Sequence, residues 1–234
     1  MFLGLENLSI VIPVYNEDHK TVEMLSSKLR DFGAEVIVVD DGSFSPIVGA
    51  IRHEKNIGYG QAILTGVQNT SNNTVLVMDG DGQHSVGDVL KMYTVWGLID
   101  GIDMLIGARR LKYEKFIRML GRKFLNFIAS FIALYWLNDL NSGMRIFKKN
   151  LVLGYSPILC KEFSFTTSLT MSMLCDGYMV EWFPIKVSER KNGKSKVKII
   201  RHGFITLYYI LRIGFALRTR GIRKWLRSLK TVQT

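Results

Sequence analysis

Val75-Leu76-Val77-Met78-Asp79-Gly80-Asp81-Gly82-Gln83-His84 joins four apolar residues to a cluster of carboxylates and glycines. An unbroken apolar run stopped by Asp and Gly reads as a strand covered on both faces, because a half-exposed strand would alternate. The acidic cluster then falls at the strand's carboxyl end, where open parallel sheets bind their ligands. Asp79 and Asp81 leave the strand at alternate positions, so their carboxylates can converge on one cation while water and substrate oxygens fill the rest of its shell. A couple of carboxylates plus phosphates is how Mg²⁺ or Mn²⁺ is held in nucleotide sites, and Gln83 can add a neutral oxygen. His84 reads as a structural neighbour.

Two further strand ends upstream carry the same kind of chemistry. Ser9-Ile10-Val11-Ile12-Pro13 runs into Tyr15-Asn16-Glu17, and Val36-Ile37-Val38-Val39 runs into Asp40-Asp41-Gly42-Ser43. Asp and Gly are common turn formers, so each cluster alone reads as a turn. Three at equivalent topological places favour a ligand site. Between the strands lie helical patterns: Val22, Leu25, Leu29 and Phe32 share one helix face, and residues 59–69 look helical. Asn56-Ile57-Gly58-Tyr59-Gly60 precedes the second helix, and its glycines let backbone approach either a phosphate or another loop. A further strand is expected at Asp103–Ile106. The expected fold class is therefore α/β, a mainly parallel sheet flanked by helices.

The second half is more apolar and less regular. Lys115–Leu137 reads as one long helix, Met144–Phe147 as a strand, Thr166–Cys175 as a helix and Met179–Val187 as a strand. Residues 199–230 read as helical with a break near Gly221. The division expected is a domain over 1–200 and a basic amphipathic helical tail over 201–234.

The chain has 234 residues and a formal charge of +11, of which residues 186–234 carry +13 and residues 1–185 carry −2. A basic tail seeks phosphates, in nucleic acid or on an anionic membrane surface. No nucleic-acid motif is present, and the acidic strand ends repel phosphate unless a metal intervenes, so nucleic acid is not an expected partner. Cys160 and Cys175 match neither a zinc pattern nor a disulfide framework, which suits a reduced compartment. The opening Met1–Glu6 lacks the basic start of a secretory leader. The longest apolar stretches, 124–137 and 204–217, fall short of the about 20 residues of a spanning helix.

Taken jointly, these motifs resemble family 2 glycosyltransferases. Ser9–Glu17, Val38–Ser43, Asn56–Gly60 and Met78–His84 stand in the family's order and spacing, as do Ile106-Gly107-Ala108-Arg109, Asn141-Ser142-Gly143-Met144-Arg145 and Arg190-x-x-Gly193-Lys194-Ser195-Lys196. The resemblance covers roughly residues 8–200. Among subfamilies it is most similar to dolichyl-phosphate mannose synthases and bacterial polyprenyl-phosphate glycosyltransferases.

The resemblance implies a GT-A fold and an inverting, metal-dependent hexosyl transfer from a nucleotide-sugar of GDP-mannose or UDP-glucose type to a polyprenyl phosphate, with Mg²⁺ or Mn²⁺ as cofactor. It puts Pro13, Tyr15, Glu17, Val39 and Asp41 on the base and ribose side. Asp79, Gly80 and Asp81 hold the diphosphate, and Asp79, Asp81 and Gln83 the metal. Arg109, Arg190 and Lys196 face the diphosphate and sugar, and Arg118, Arg122 and Ser142 the acceptor phosphate. Arg118 and Arg122 stand four apart, on one helix face, and equally suit a solvated rim.

A hydroxyl acceptor on a glycan or glycolipid is the alternative. It needs a carboxylate base, and the candidates are Asp139, which otherwise orders the Ser142-Gly143 loop, and Glu162. A non-enzymatic basic binding module is the alternative of another class. Many relatives carry C-terminal spans, and the Gly80 position is more often Ala. In place of spans, residues 204–230 suit a pair of interfacial helices on the cytoplasmic face of a membrane, a hairpin packed on the domain, or the site of a membrane-protein partner.

Overall fold

The computed structural model describes residues 4–109, 116–186 and 199–231. Seven strands form one sheet in the order β3-β2-β1-β4-β6-β5-β7. The central strand β1 (Leu8–Val14) pairs in parallel with β2 (Glu35–Asp40) and β4 (Thr74–Val77), setting Val14 opposite Asp40 and Val11 opposite Val77. The two-residue β3 (Ile51–Arg52) lies parallel to β2. On the other side β6 (Arg145–Lys148) runs antiparallel to both β4 and β5 (Met104–Arg109), and β7 (Val180–Ile185) closes the edge parallel to β5. The expected parallel α/β sheet thus stands, with one reversed strand that the apolar pattern did not distinguish.

The continuous apolar runs serve two cores at once, since successive strand residues point to opposite faces. Val11, Val75 and Val77 pack below the sheet with α2 (Tyr59–Gln68), α4 (Phe116–Ala133) and α6 (Phe165–Cys175). Ile10, Ile12 and Leu76 pack above it with α1 (His19–Asp31) and α3 (Val86–Leu98). On α1 the sequence pattern is met by buried Val22, Leu25 and Leu29, but not by Phe32, which follows the helix as its C-cap and is exposed; Asp18 caps the start by accepting from Thr21 N at 2.9 Å. Helix α3 was not anticipated. Its signal is Ser85-x-x-Asp88, where Ser85 Oγ accepts from the Asp88 amide at 3.1 Å and donates to the Asp88 carboxylate at 2.9 Å. A short α5 (Lys149–Tyr155) follows β6.

The last helix, α7, spans Ile199–Thr231 as one element. The expected break at Gly221 is absent: a lone glycine costs a helix only about 1 kcal/mol. The middle of α7 packs on the domain. Ile210, Ile213 and Leu217 are buried in the lower core, where each apolar side chain contributes roughly 2 kcal/mol. Gly214 allows the close crossing with α4, because a Cβ there would lie 2.2 Å from Ile132 Cγ2. Among the described residues no helix is long and apolar enough to cross a membrane.

Candidate active site

The loops after β1, β2 and β4 meet over one cleft of about 380 Å³. Pro13, Tyr15, Glu17, Asp41, Asp79, Gly80 and Asp81, seven residues singled out from three separate motifs, all line it. The loops are tied together by their own polar atoms. Asn16 takes a left-handed conformation at φ 51°, its amide donates to Ser43 Oγ at 2.8 Å, and its side-chain oxygen accepts from Phe44 N at 2.9 Å. Asp40 is structural: it accepts from Ser43 N at 2.9 Å, Ile47 N at 3.3 Å and Arg52 Nη1 at 2.8 Å. Burial works to raise the Asp40 pKa, but these donors outweigh it and hold the carboxyl below its usual value.

Asp41 is the residue of that pair that reaches the cleft. Its carboxylate accepts from the amides of Ile57 at 3.0 Å and Gly58 at 3.0 Å, and from His53 Nδ1 at 2.8 Å. His53 Nε2 in turn pairs with Thr65 Oγ1 at 3.0 Å, fixing the ring from α2. The Asn56–Gly60 segment therefore answers the sequence alternative in favour of loop packing. A Cβ at Gly58 would lie 2.5 Å from the Lys161 carbonyl, one at Gly60 2.3 Å from that of Cys160, and Gln61 N donates to Lys161 O at 2.9 Å.

This docking brings Glu162 and Phe163 into the cleft wall. Phe163 stacks on Tyr59 with ring centres 5.5 Å apart and planes 8° from parallel, and Tyr59 Oη donates to Asp79 Oδ1 at 2.9 Å. Burial first, then the Asp79 charge, pushes the Tyr59 hydroxyl well above its ordinary pKa, so it stays a donor. Tyr59 stands in one of the motifs but is not among the expected site residues, and Phe163 follows the candidate base Glu162. An aromatic at a helix start reads as core, and its bond to Asp79 crosses twenty residues of sequence.

Asp79 and Asp81 both open into the cleft, and Gln83 N donates to Asp81 Oδ1 at 3.0 Å. The Asp79 side chain is 36% exposed, and His84 Nε2 stands 4.0 Å from its Oδ2. Among the described residues no three His, Cys, Asp or Glu side chains gather as a ready-made metal set. Two hard carboxylates at an open cleft fit a cation of the Mg²⁺ or Mn²⁺ kind, which takes few protein ligands and the rest from phosphate and water.

Five expected residues that the structure describes are not among those lining the cleft: Gln83, next to Asp81 through its amide, Arg122 on α4, and Val39, Ser142 and Arg109. Val39 is fully buried, with its side chain facing α2 at Gly66. Ser142 is fully buried too, and its hydroxyl has no hydrogen-bond partner. Arg109 is locked onto Asp139, donating from Nε to Oδ2 at 2.8 Å and from Nη2 to Oδ1 at 3.0 Å. Burial works to raise the Asp139 pKa, but Arg109, with the charge of Arg122 behind it, holds the carboxyl below its usual value. Arg190, Lys196 and the side chain of Arg118 lie outside the described residues.

A mostly parallel sheet with carboxylates gathered at its carboxyl edge, a cleft beside them and one reversed strand defines a glycosyltransferase domain of GT-A type. The chain belongs to glycosyl transferase family 2, whose sequence model matches residues 9–154. It is 26% identical over 98% of its length to undecaprenyl-phosphate 4-deoxy-4-formamido-L-arabinose transferase of Shewanella sediminis, covering 71% of that protein. It is 27% identical over 87% of its length to UDP-N-acetylglucosamine–dolichyl-phosphate N-acetylglucosaminyltransferase of Methanococcus voltae, covering 94% of it. The crystal structure of glucosyl-3-phosphoglycerate synthase from Mycobacterium tuberculosis with Mn²⁺, UDP and phosphoglyceric acid superposes with a TM-score of 0.67 over 91% of this chain and 78% of that one, at 17% identity. Across three curated relatives the chain spans 66% to 94% of their length.

Proposed function

We propose that this protein is an inverting transferase that moves a monosaccharide from a nucleotide-sugar to a polyprenyl phosphate at a membrane surface. Tyr15, Glu17 and Asp41 hold the nucleoside end, and Asp79 and Asp81 face the diphosphate. A Mg²⁺ or Mn²⁺ ion held by Asp79 and Asp81, with Gln83 beside them, supplies positive charge where the departing diphosphate gains negative charge. Arg190 and Lys196 are assigned to the same charge. Arg122 and Arg118 orient the acceptor phosphate, which is already an anion at neutral pH and needs no base.

The observation that carries the acceptor assignment is the Arg109–Asp139 pair. A hydroxyl acceptor needs a carboxylate free to take its proton, whereas Asp139 is buried, bound at both oxygens and held ionised by cations. The two relatives named above are transferases to undecaprenyl and dolichyl phosphate, which supports the same acceptor. One observation favours the second reading: Glu162 lines the cleft. A hydroxyl-directed enzyme would use it as base.

The membrane surface is supported by two neighbouring helices. On α4, Phe124, Phe127 and Phe131 are exposed, and on α7 Phe204, Tyr208 and Phe215 are exposed. Neither helix contains an acidic residue, and Arg212 stands 6.0 Å from the Tyr208 ring centre. Apolar rows flanked only by cations suit an anionic lipid surface. We place the protein peripherally, on the cytoplasmic face.

The test is transfer of label from GDP-mannose and from UDP-sugars to undecaprenyl and dolichyl phosphate, with Mg²⁺ or Mn²⁺ and an EDTA control. An organic-extractable, acid-labile, metal-dependent product is expected. Donor binding without lipid product, with activity on a glycan lost in Glu162→Gln, would instead establish the hydroxyl acceptor.

A further inference from the structure

We infer that Gly143 is a positioning residue for the Asp79 carboxylate: the turn it occupies sets where that carboxylate stands in the cleft. The inference rests on the assignment of Asp79 to the cation and names what holds it there. Gly143 does not take a left-handed φ, so the backbone of the turn would accept any residue. What a side chain would meet first is Asp79. An ideal Cβ at Gly143 would lie 2.6 Å from Asp79 Oδ2, 3.0 Å from Oδ1 and 3.1 Å from Cγ, and these are its three nearest atoms. The carboxylate is thus seated on bare backbone on one side and bonded to Tyr59 Oη on the other.

The turn cannot retreat to make room. Met144 O accepts from Gly107 N at 2.9 Å, pinning the turn to β5. Behind it lies Arg145, fully buried, whose Nη2 donates to Ser142 O and whose Nη1 donates to Thr166 O at 3.0 Å and Thr170 Oγ1 at 3.2 Å. Arg145 makes no salt bridge among the described residues, and its Nε has no partner. The charges of Asp139 and Asp79 act on Arg145, but without a direct ion pair its burial is still costly. Its bonds instead fasten the 142–143 turn to α6. A carboxylate held between a fixed backbone and a fixed phenol loses little freedom when it binds a cation, which is the condition for tight binding by only two protein ligands.

A double-mutant cycle on the full chain tests this, read by thermal unfolding and by Mn²⁺ binding (paramagnetic resonance or calorimetry) in the presence of UDP and of GDP. Gly143→Ala is expected to lower Tm by about 4 °C or more and to weaken Mn²⁺ binding at least tenfold. In an Asp79→Ala background, where the carboxylate is gone, Gly143→Ala is expected to leave Tm within about 1 °C, because contacting residues are non-additive. An equal Tm loss in both backgrounds, or Mn²⁺ binding unchanged in Gly143→Ala, would overturn the inference while leaving the metal reading intact. Wild-type protein that takes up no Mn²⁺ with either nucleotide would overturn the metal reading itself, and this inference with it.

Discussion

The half of the molecule to which we assign the donor and the half to which we assign the acceptor are built by different means. On the donor side, the ends of β1, β2 and β4 bring Tyr15, Asp41 and Asp79 together through parallel strands in register, and most bonds link loops that the motifs already contain. On the acceptor side, β6, α4, α6 and α7 join residues far apart in sequence: Arg109 with Asp139, Arg145 with Thr166, Arg218 with the carbonyls of Ile132 and Ala133. The first side is polar and organised by the backbone; the second is apolar and organised by packing. If the assignment holds, side-chain substitutions on the donor side should change activity, whereas on the acceptor side they should change stability and surface docking.

The sharpest way to break this contrast is at Asp81. Asp81→Asn keeps size and removes a charge from the cleft. We expect transfer to fall by at least about a hundredfold, with Tm near that of the wild type, measured by label transfer and calorimetry. Activity within a few-fold of wild type would mean that the donor side is not organised around a cation.

Next in size is the acceptor-side pair. Asp139→Asn leaves Arg109 in its partly buried place without its counter-ion, and the expected loss of stability is about 2–3 kcal/mol by denaturant unfolding. The pH dependence has a definite sign. The folded-state pKa of Asp139 lies below its unfolded value, so its contribution is present above the unfolded pKa of about 3.9 and disappears as pH falls towards the lowered one. Wild-type stability should therefore drop below about pH 4 more steeply than that of Asp139→Asn. Asp40 contributes in the same direction in both proteins and cancels in the comparison. Parallel pH curves would mean that Arg109 does not hold Asp139 ionised.

How much of each side was legible follows from the same difference. Asp41, Asp79 and Asp81 were readable because a short parallel strand delivers its last residues to a known edge, and the chemistry is written in contiguous letters. The reversed direction of β6 was not readable, since Met144–Phe147 is apolar in either direction. Tyr59 and Phe163 escaped because each looks like a core aromatic, and only the close approach allowed by Gly58 and Gly60 puts them in the cleft wall. Ser142 and Val39 were expected in the site from their motifs, and burial, which a motif does not show, keeps both side chains out of the cleft lining.

The docking rows sharpen the comparison from the surface. Replacing Phe127 and Phe215 by Ser removes two exposed rings, one from each helix, without touching the core. Binding to vesicles containing anionic lipid should weaken by about tenfold, while nucleotide binding and Tm stay unchanged. Equal retention on the vesicles would remove the lipid surface from the assignment and leave a protein partner for those rows.

The smallest expected effect tests whether the donor side, too, has a place where packing governs. The resemblance expects Ala more often at position 80, yet here a Cβ would lie 2.7 Å from Val14 Cγ1 and 3.2 Å from Ile12 Cγ2. The obstacle is the tip of side chains, not backbone, and the φ of Gly80 is not left-handed. Gly80→Ala should therefore destabilise by only about 1 kcal/mol, the cost of mild overpacking, and leave Mn²⁺ binding within a few-fold of wild type. Combining it with Val14→Ala opens the space, so the Gly80→Ala penalty should vanish in that background. A large loss of Mn²⁺ affinity from Gly80→Ala, not relieved by Val14→Ala, would mean that glycine is needed between the two carboxylates for the backbone's own sake, and that even the donor side's spacing is set by more than its strand.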